Sequence, residues 1–357
     1  MKKVYILLPL IVWFGLVIAE LYSLFFQFPK PMYFRAWEYA LNQGKDSYYV
    51  SFQPHVTYKG TMSGDLLLLA NFKPKKSEIK PQLFVTDEYG FRNPVGLLQK
   101  PVDVVLLGTS FVGGAQETQS GLVSDMLTNK YKIPTYNYAT MPLQHLWADD
   151  RFFANPPKYV FIVGNETEIL QNIWTETLVE NKEVHHVVAW NSHEEWAAIN
   201  NPFPYDYKSV SAYLKRFSYI RYLAKDMNRH YQNELFTREQ LGESLIKSET
   251  YDPERDILFW DINEYDPRLS DVGRTRVAST VEILKKSKEI LSQRNITMVM
   301  GVVPSKSSLH AKRYRDVNIK DRTIYLLQKE FEKNNIEYVN VSDPLFEYVS
   351  KTGNLVY

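Results

Sequence analysis

The chain contains no cysteine. Thiolate nucleophiles, cysteine-ligated metals and disulfides are therefore excluded, and any chemistry must come from oxygen and nitrogen groups. Nor is there an excess of charge: Lys+Arg 42 against Asp+Glu 41 leaves a formal net charge of +1. With no basic run either, nothing points to a nucleic-acid partner. No pair among the seven histidines has the His-x-x-x-His spacing of a zinc site. Internal repeats and low-complexity tracts are missing as well.

What is present is a chain of 357 residues, 45% hydrophobic, enough for one large domain or two modest ones. Aromatics reach 14%, with 25 Tyr and 7 Trp; such residues fill cores and also serve as saccharide platforms. At the N-terminus, Lys2 and Lys3 precede "VYILLPLIVWFGLVIAELYSLFF", close to the roughly 20 residues a spanning helix needs. No small-x-small cleavage site precedes its aromatic end. Residues 1–28 therefore read as an uncleaved signal anchor, and the positive-inside bias places the rest of the chain outside the cytoplasm. Residues 29–80 form a linker and N-terminal extension, with strand-like "SFQPHVTYKG" and a polar "PKKSEIKP" loop.

The main domain is expected over residues 81–357. "LFVTDEYGFRNP" opens it, with Asp87, Gly90 and Pro94 bracketing a turn. Then "VDVVLLG", "IPTYNYA" and "PKYVFIVGNE" alternate with helical "SGLVSDMLTNKY", in which Leu122, Met126 and Leu127 have helical spacing, and with "QHLWADDRFF". After a break at residues 172–260, read as an insertion or lid, the rhythm resumes. A long amphipathic helix carries Val277, Val281, Leu284, Ile290 and Leu291; "ITMVMGVVP", "DRTIYLLQKEFEKNN" and "IEYVNVSDPL" follow. This alternation predicts an α/β fold, a parallel sheet with helices on both faces and its ligand site at the strand C-termini.

Two strand ends carry candidate chemistry. In "VVLLGTSFVGG", Ser110 follows a buried strand and opens a helix, as a nucleophilic serine with nearby N–H donors requires; a turn with a helix cap has the same local sequence. Asn165 ends "YVFIVGN" at the same sheet edge, where its amide can donate to an oxyanion or cap the next helix. Between them, "YNYATMP" offers the Ala139 backbone N–H.

"LLGTSF", "YNYATMP" and "VGNE" resemble, in order, the first three blocks of the SGNH (GDSL-type) hydrolases. The family's Gly-Asp-Ser appears as Gly108-Thr109-Ser110, its second-block Gly as Ala139, and its Gly-x-Asn-Asp as Gly164-Asn165-Glu166. "TDEYGFRNP" and "VVPSKSSLHAKRY" look like the membrane-anchored, extracytoplasmic branch associated with polysaccharide O-acetylation, such as alginate acetyltransferase-like proteins. Those relatives carry their blocks in permuted order, so the likeness to them is one of chemistry.

The resemblance implies a three-layer SGNH/flavodoxin-like sheet and a serine esterase or O-acetyltransferase needing no cofactor and no metal. Its substrate would be a cell-surface polysaccharide or acyl ester, and a membrane-bound acyltransferase a possible partner. Ser110 would attack the ester, the N–H groups of Ser110 and Ala139 and the Asn165 amide would hold the oxyanion, and Lys306 in "PSKSS" would meet an anionic saccharide.

The family's Asp-x-x-His block has no match: the chain runs through "VNVSDPLFEYVSKTGNLVY" to Tyr357 without it. His310 and His186 are the stand-ins considered ahead of His145, His185 and His193, and Asp343 reads as a helix cap. The expectation is an enzyme that is inactive or nearly so in this form. The alternative is a non-catalytic envelope protein that binds glycan or an acyltransferase partner.

Overall fold

A computed structural model describes residues 2–26, 36–40, 51–63, 72, 74–115, 117–170, 183–200, 219–236, 251–252, 257–258, 271–305, 308–309 and 322–352. Helices α1 (Lys2–Phe26) and α2 (Ala36–Ala40) come first, then an antiparallel hairpin of β1 (Thr57–Met62) and β2 (Lys80–Val85). Leu10, Ile11, Val12, Trp13 and Phe14 of α1 are exposed. Among the described residues no helix is long and apolar enough to cross a membrane. The helix of the expected anchor is observed, and its transmembrane character finds no support among these residues.

The main sheet begins with β3 (Val104–Gly108), followed by α3 (Ser110–Gly113), α4 (Val123–Asn129), β4 (Thr135–Asn137), α5 (Leu143–Ala148) and α6 (Asp150–Ala154). Then come β5 (Tyr159–Asn165), α7 (Glu166–Leu170), α8 (His193–Asn200), α9 (Tyr219–Leu235) and a two-residue ladder of β6 (Tyr251–Asp252) and β7 (Ile257–Leu258). Last are α10 (Asp271–Ser292), β8 (Thr297–Val303), α11 (Thr323–Lys333), β9 (Glu337–Val339) and α12 (Ser342–Thr352).

Five strands pair in parallel in the order β4-β3-β5-β8-β9. Counted within this sheet, that is the flavodoxin-like order 2-1-3-4-5, whose switch point lies between its first and third strands. Here those strands are β3 and β5; Ser110 opens the helix just after β3, and Asn165 is the last residue of β5. Side chains alternate across the sheet. Val105, Leu107, Val160, Ile162, Met298, Met300 and Val302 share one core with Val277, Val281, Leu284 and Leu291 of α10 and Ile324, Leu327 and Phe331 of α11. On the opposite face Val104 and Leu106 pack with Val112 and Ala139, while Phe161 and Val163 are half-buried. Apolar on both faces, these strands are the continuous hydrophobic runs expected of a parallel sheet.

Three local expectations need correction. Leu122 is buried, but Met126, one helical turn on and bonded through its N–H to Leu122 O, is 41% exposed. "QHLWADDRFF" forms two helices, because Asp149 leaves the helical conformation and its carboxylate accepts the Arg151 N–H at 3.0 Å as an N-cap. The last strand stops at Val339; Asn340, not Asp343, caps α12, its Oδ1 accepting the N–H groups of Ser342 and Asp343, each at 3.2 Å. Of the expected insertion, the stretch 183–193 lies along the β4 flank. His185 bridges to Asp149, its N–H donating to Ala148 O at 2.7 Å, and the Trp190 N–H donates to Glu88 O at 3.0 Å.

Candidate active site at the ends of two strands

The site is assembled by strand register. Gly108 of β3 lies opposite Val163 of β5, so Ser110, which opens α3 two residues further on, and Asn165, the last residue of β5, lie at the same sheet edge. Gly108 permits this close approach: a Cβ there would stand 2.2 Å from Val163 O and 2.5 Å from Val112 Cγ2. Thr109 N-caps α3, its Oγ1 accepting the Phe111 N–H at 3.4 Å. Ser110 is exposed, and among the described residues its hydroxyl and its N–H have no hydrogen-bond partner.

Asn165 adopts the capping role and keeps a donor. Its Oδ1 accepts the Glu168 N–H at 2.9 Å, while its own N–H donates to Glu168 Oε2 at 3.0 Å, a reciprocal capping box. With Oδ1 committed, Nδ2 is the remaining polar group, and it has no partner among the described residues. The Glu168 carboxylate also accepts from the Thr109 hydroxyl, and burial raises its pKa. The spacing Asn-x-x-Glu in "NETE" is the sequence signal for this box, and sequence reasoning passed over Glu168.

Ala139 is placed differently from the expectation. Its N–H donates to Asn137 Oδ1 at 3.1 Å and the next N–H, of Thr140, donates to Gly108 O at 2.7 Å. The turn therefore spends its donors on tying β4 to β3, and the Ala139 N–H is not presented to a ligand. The left-handed residue of this turn is Thr140, at φ 71°, a costly conformation for a β-branched side chain. Ser51, from the N-terminal extension, steadies it, with its Oγ 2.6 Å from Thr140 Oγ1 and donating to Ala139 O at 3.2 Å.

Below the site, the "TDEYGFRN" segment is a polar brace. Asp87 Oδ1 accepts the N–H groups of Tyr89 and Phe91, both at 2.9 Å, and Oδ2 accepts Asn93 Nδ2 at 3.0 Å. Tyr136 also donates to this carboxylate, and burial pushes its pKa up to about 6. Asn93 links onward to both the N–H and the C=O of Asn137. Arg92 is fully enclosed and stacks over Phe84 at 4.2 Å. Its guanidinium donates to the carbonyls of Gly113, Gly114, Leu83 and Glu117 and to Gln119 Oε1, fastening the loop that follows Ser110. Burial pushes the Arg92 pKa down to about 10, so it stays charged at neutral pH. The sequence reading gives this stretch as a turn and as part of the family resemblance, with no role for Arg92.

No histidine is hydrogen-bonded to Ser110 among the described residues. His186 is held through Nδ1 by Asp150, whose Oδ1 accepts the Val187 N–H at 3.1 Å, on the β4 flank. His145 is buried in α5, and His193 lies 3.3 Å from Pro54 O and stacks on Trp196. Lys306 and His310 lie outside the described residues. Trp147 and Trp196 are buried core residues. Among the described residues no group of three or more His, Asp or Glu side chains is placed to hold a metal ion.

The class defined by fold and site is thus an α/β domain of flavodoxin-like strand order, with a serine hydroxyl and an asparagine Nδ2 that have no partner among the described residues at its switch point. Comparison with protein-family models, with curated proteins and with solved structures found no match.

Proposed function

We propose that this is a membrane-anchored, extracytoplasmic SGNH-like O-acyl esterase or transferase, acting on acetyl or similar esters of a cell-surface polysaccharide through Ser110. The observation that carries the reading is the placing at one sheet edge of an exposed Ser110 hydroxyl and an Asn165 Nδ2 that have no partner among the described residues. In this reaction Ser110 Oγ bonds to the ester carbonyl carbon and its proton passes to a base. The C–O bond to the sugar then breaks, the sugar oxygen takes a proton, and water or a second hydroxyl removes the acyl group from Ser110. The anchor rests on the sequence alone, the apolar stretch that follows Lys2 and Lys3, and the acyltransferase partner follows from the family resemblance.

Because no described histidine engages Ser110, reactivity is expected to be orders of magnitude below that of a complete triad. The test is labelling by a fluorophosphonate probe with peptide mapping, together with p-nitrophenyl acetate hydrolysis. Slow, Ser110-specific labelling that rises with pH and disappears in Ser110→Ala is the expected result. Wild type indistinguishable from Ser110→Ala in both assays overturns it. A second reading, a cleft that binds glycan without turnover, is favoured by the Ala139 N–H being spent on Asn137; its signature is glycan binding that survives Ser110→Ala.

A further inference from the structure

We infer that Glu168 is a positioning residue for this site, the carboxylate that holds the serine turn and the Asn165 amide together across two strand ends. Two donors from neighbouring strands converge on it: the Asn165 N–H at 3.0 Å, and the hydroxyl of Thr109, the residue directly before Ser110. Its own N–H returns to Asn165 Oδ1 at 2.9 Å. An asparagine amide is nearly symmetric in shape, so its hydrogen bonds alone decide which end faces outward. Here the oxygen is turned inward onto the Glu168 N–H, which leaves the donor end, Nδ2, for a developing negative charge.

The carboxylate does the complementary work of fixing the backbone that carries this amide. Thr109 Oγ1 accepts from Phe111 N–H, so its proton is directed elsewhere, and Glu168 receives it. The end of β3 and the end of β5 thereby share one anchor, and the gap between Ser110 and Asn165 Nδ2 becomes a fixed distance. A Gln in place of Glu168 retains an acceptor for the Asn165 N–H; an Ala removes both bonds.

This role rests on the acyl-ester reading of Ser110, and the experiment separates the two. The full chain is labelled with 15N-asparagine, and the Asn165 side-chain amide signal is assigned by its loss in Asn165→Ala. In Glu168→Ala that signal is expected to move and broaden, while Glu168→Gln keeps it near its wild-type place. In parallel, the rate of fluorophosphonate labelling at Ser110 is measured in a cycle of single and double variants. Loss of one oxyanion donor lowers rates by about 100-fold or more, so Asn165→Ala sets that floor. Glu168→Ala should fall by about 10- to 100-fold, Glu168→Gln by less, and the double variant should match Asn165→Ala alone. An Asn165 amide signal that stays put in Glu168→Ala overturns the inference, and so do losses that multiply in the double variant. A moved signal with Ser110 unreactive in wild type supports the clamp and overturns the acyl-ester reading instead.

Discussion

The brace beneath the serine turn and the strand ends above it are built from similar polar residues and use them in opposite ways. Below, Asp87, Asn93 and Asn137 bond one another and the backbone around them, and Arg92 spends both terminal nitrogens on carbonyls and an amide, leaving only Nε without a partner. Above, Ser110 and the Asn165 Nδ2 carry no partner among the described residues. Buried polar groups are stable only when bonded, so the lower layer gains rigidity from saturation. Groups at the surface can be left for a ligand at little cost. The difference separates what holds the turn from what the turn presents, and it is open to attack from either side.

The largest effect is expected from Arg92→Met, which keeps the apolar stem and removes the guanidinium. The carbonyls of Gly113, Gly114, Leu83 and Glu117 then lose a buried charged donor. Each buried acceptor left without a donor costs about 1–3 kcal/mol, which urea unfolding would register as a markedly lower midpoint. A cost below about 1 kcal/mol, the size of a surface change, would mean that the brace does not hold the loop.

Next comes the pH dependence of Asp87. Burial raises its pKa from 3.8 to about 6. Between those values the folded chain holds a proton that the unfolded chain has released, so stability falls as pH rises from about 4 to about 6 and levels off above. At about 1.4 kcal/mol per pK unit, the Asp87 share is about 3 kcal/mol. Glu166 and Glu168, also raised by burial, add slope of the same sign. The readout is therefore the difference between wild type and Asp87→Asn in denaturant titrations at successive pH values. Equal slopes would show that Asp87 is not penalised in its ionised form.

How much of this was legible depended on the range of the interaction. The strands "VVLLG", "YVFIVGN" and "TMVMGVV" and the α10 face at Val277, Val281, Leu284 and Leu291 follow from local apolar pattern, and the structure buries them accordingly. Ser110 and Asn165 were readable because one follows such a strand within two residues and the other ends one. Arg92 was not, since its partners lie 9 to 27 residues away and arise only when the β1–β2 hairpin meets the loop after α3. Ala139 misled for a related reason. A small residue in the right place suggested a free N–H, and only the fold shows that Asn137 turns its side chain back to take it.

Thr140 is where the two layers meet, and Thr140→Gly is the gentlest way to test their separation. The left-handed conformation costs a non-glycine residue about 1–2 kcal/mol, which glycine would recover. Against that stand the added freedom of glycine in the unfolded chain, about 0.5–1 kcal/mol, and the hydroxyl contact with Ser51, about 1 kcal/mol. These nearly cancel, so the thermal midpoint should shift by only a few degrees, corresponding to less than about 1 kcal/mol. If the Ala139 N–H belongs to the brace, Ser110 labelling should stay within about threefold of wild type, a change of about 0.7 kcal/mol in barrier. A tenfold loss at unchanged stability would show that this turn takes part in the reaction, and the boundary between brace and site would then have to be drawn below Thr140.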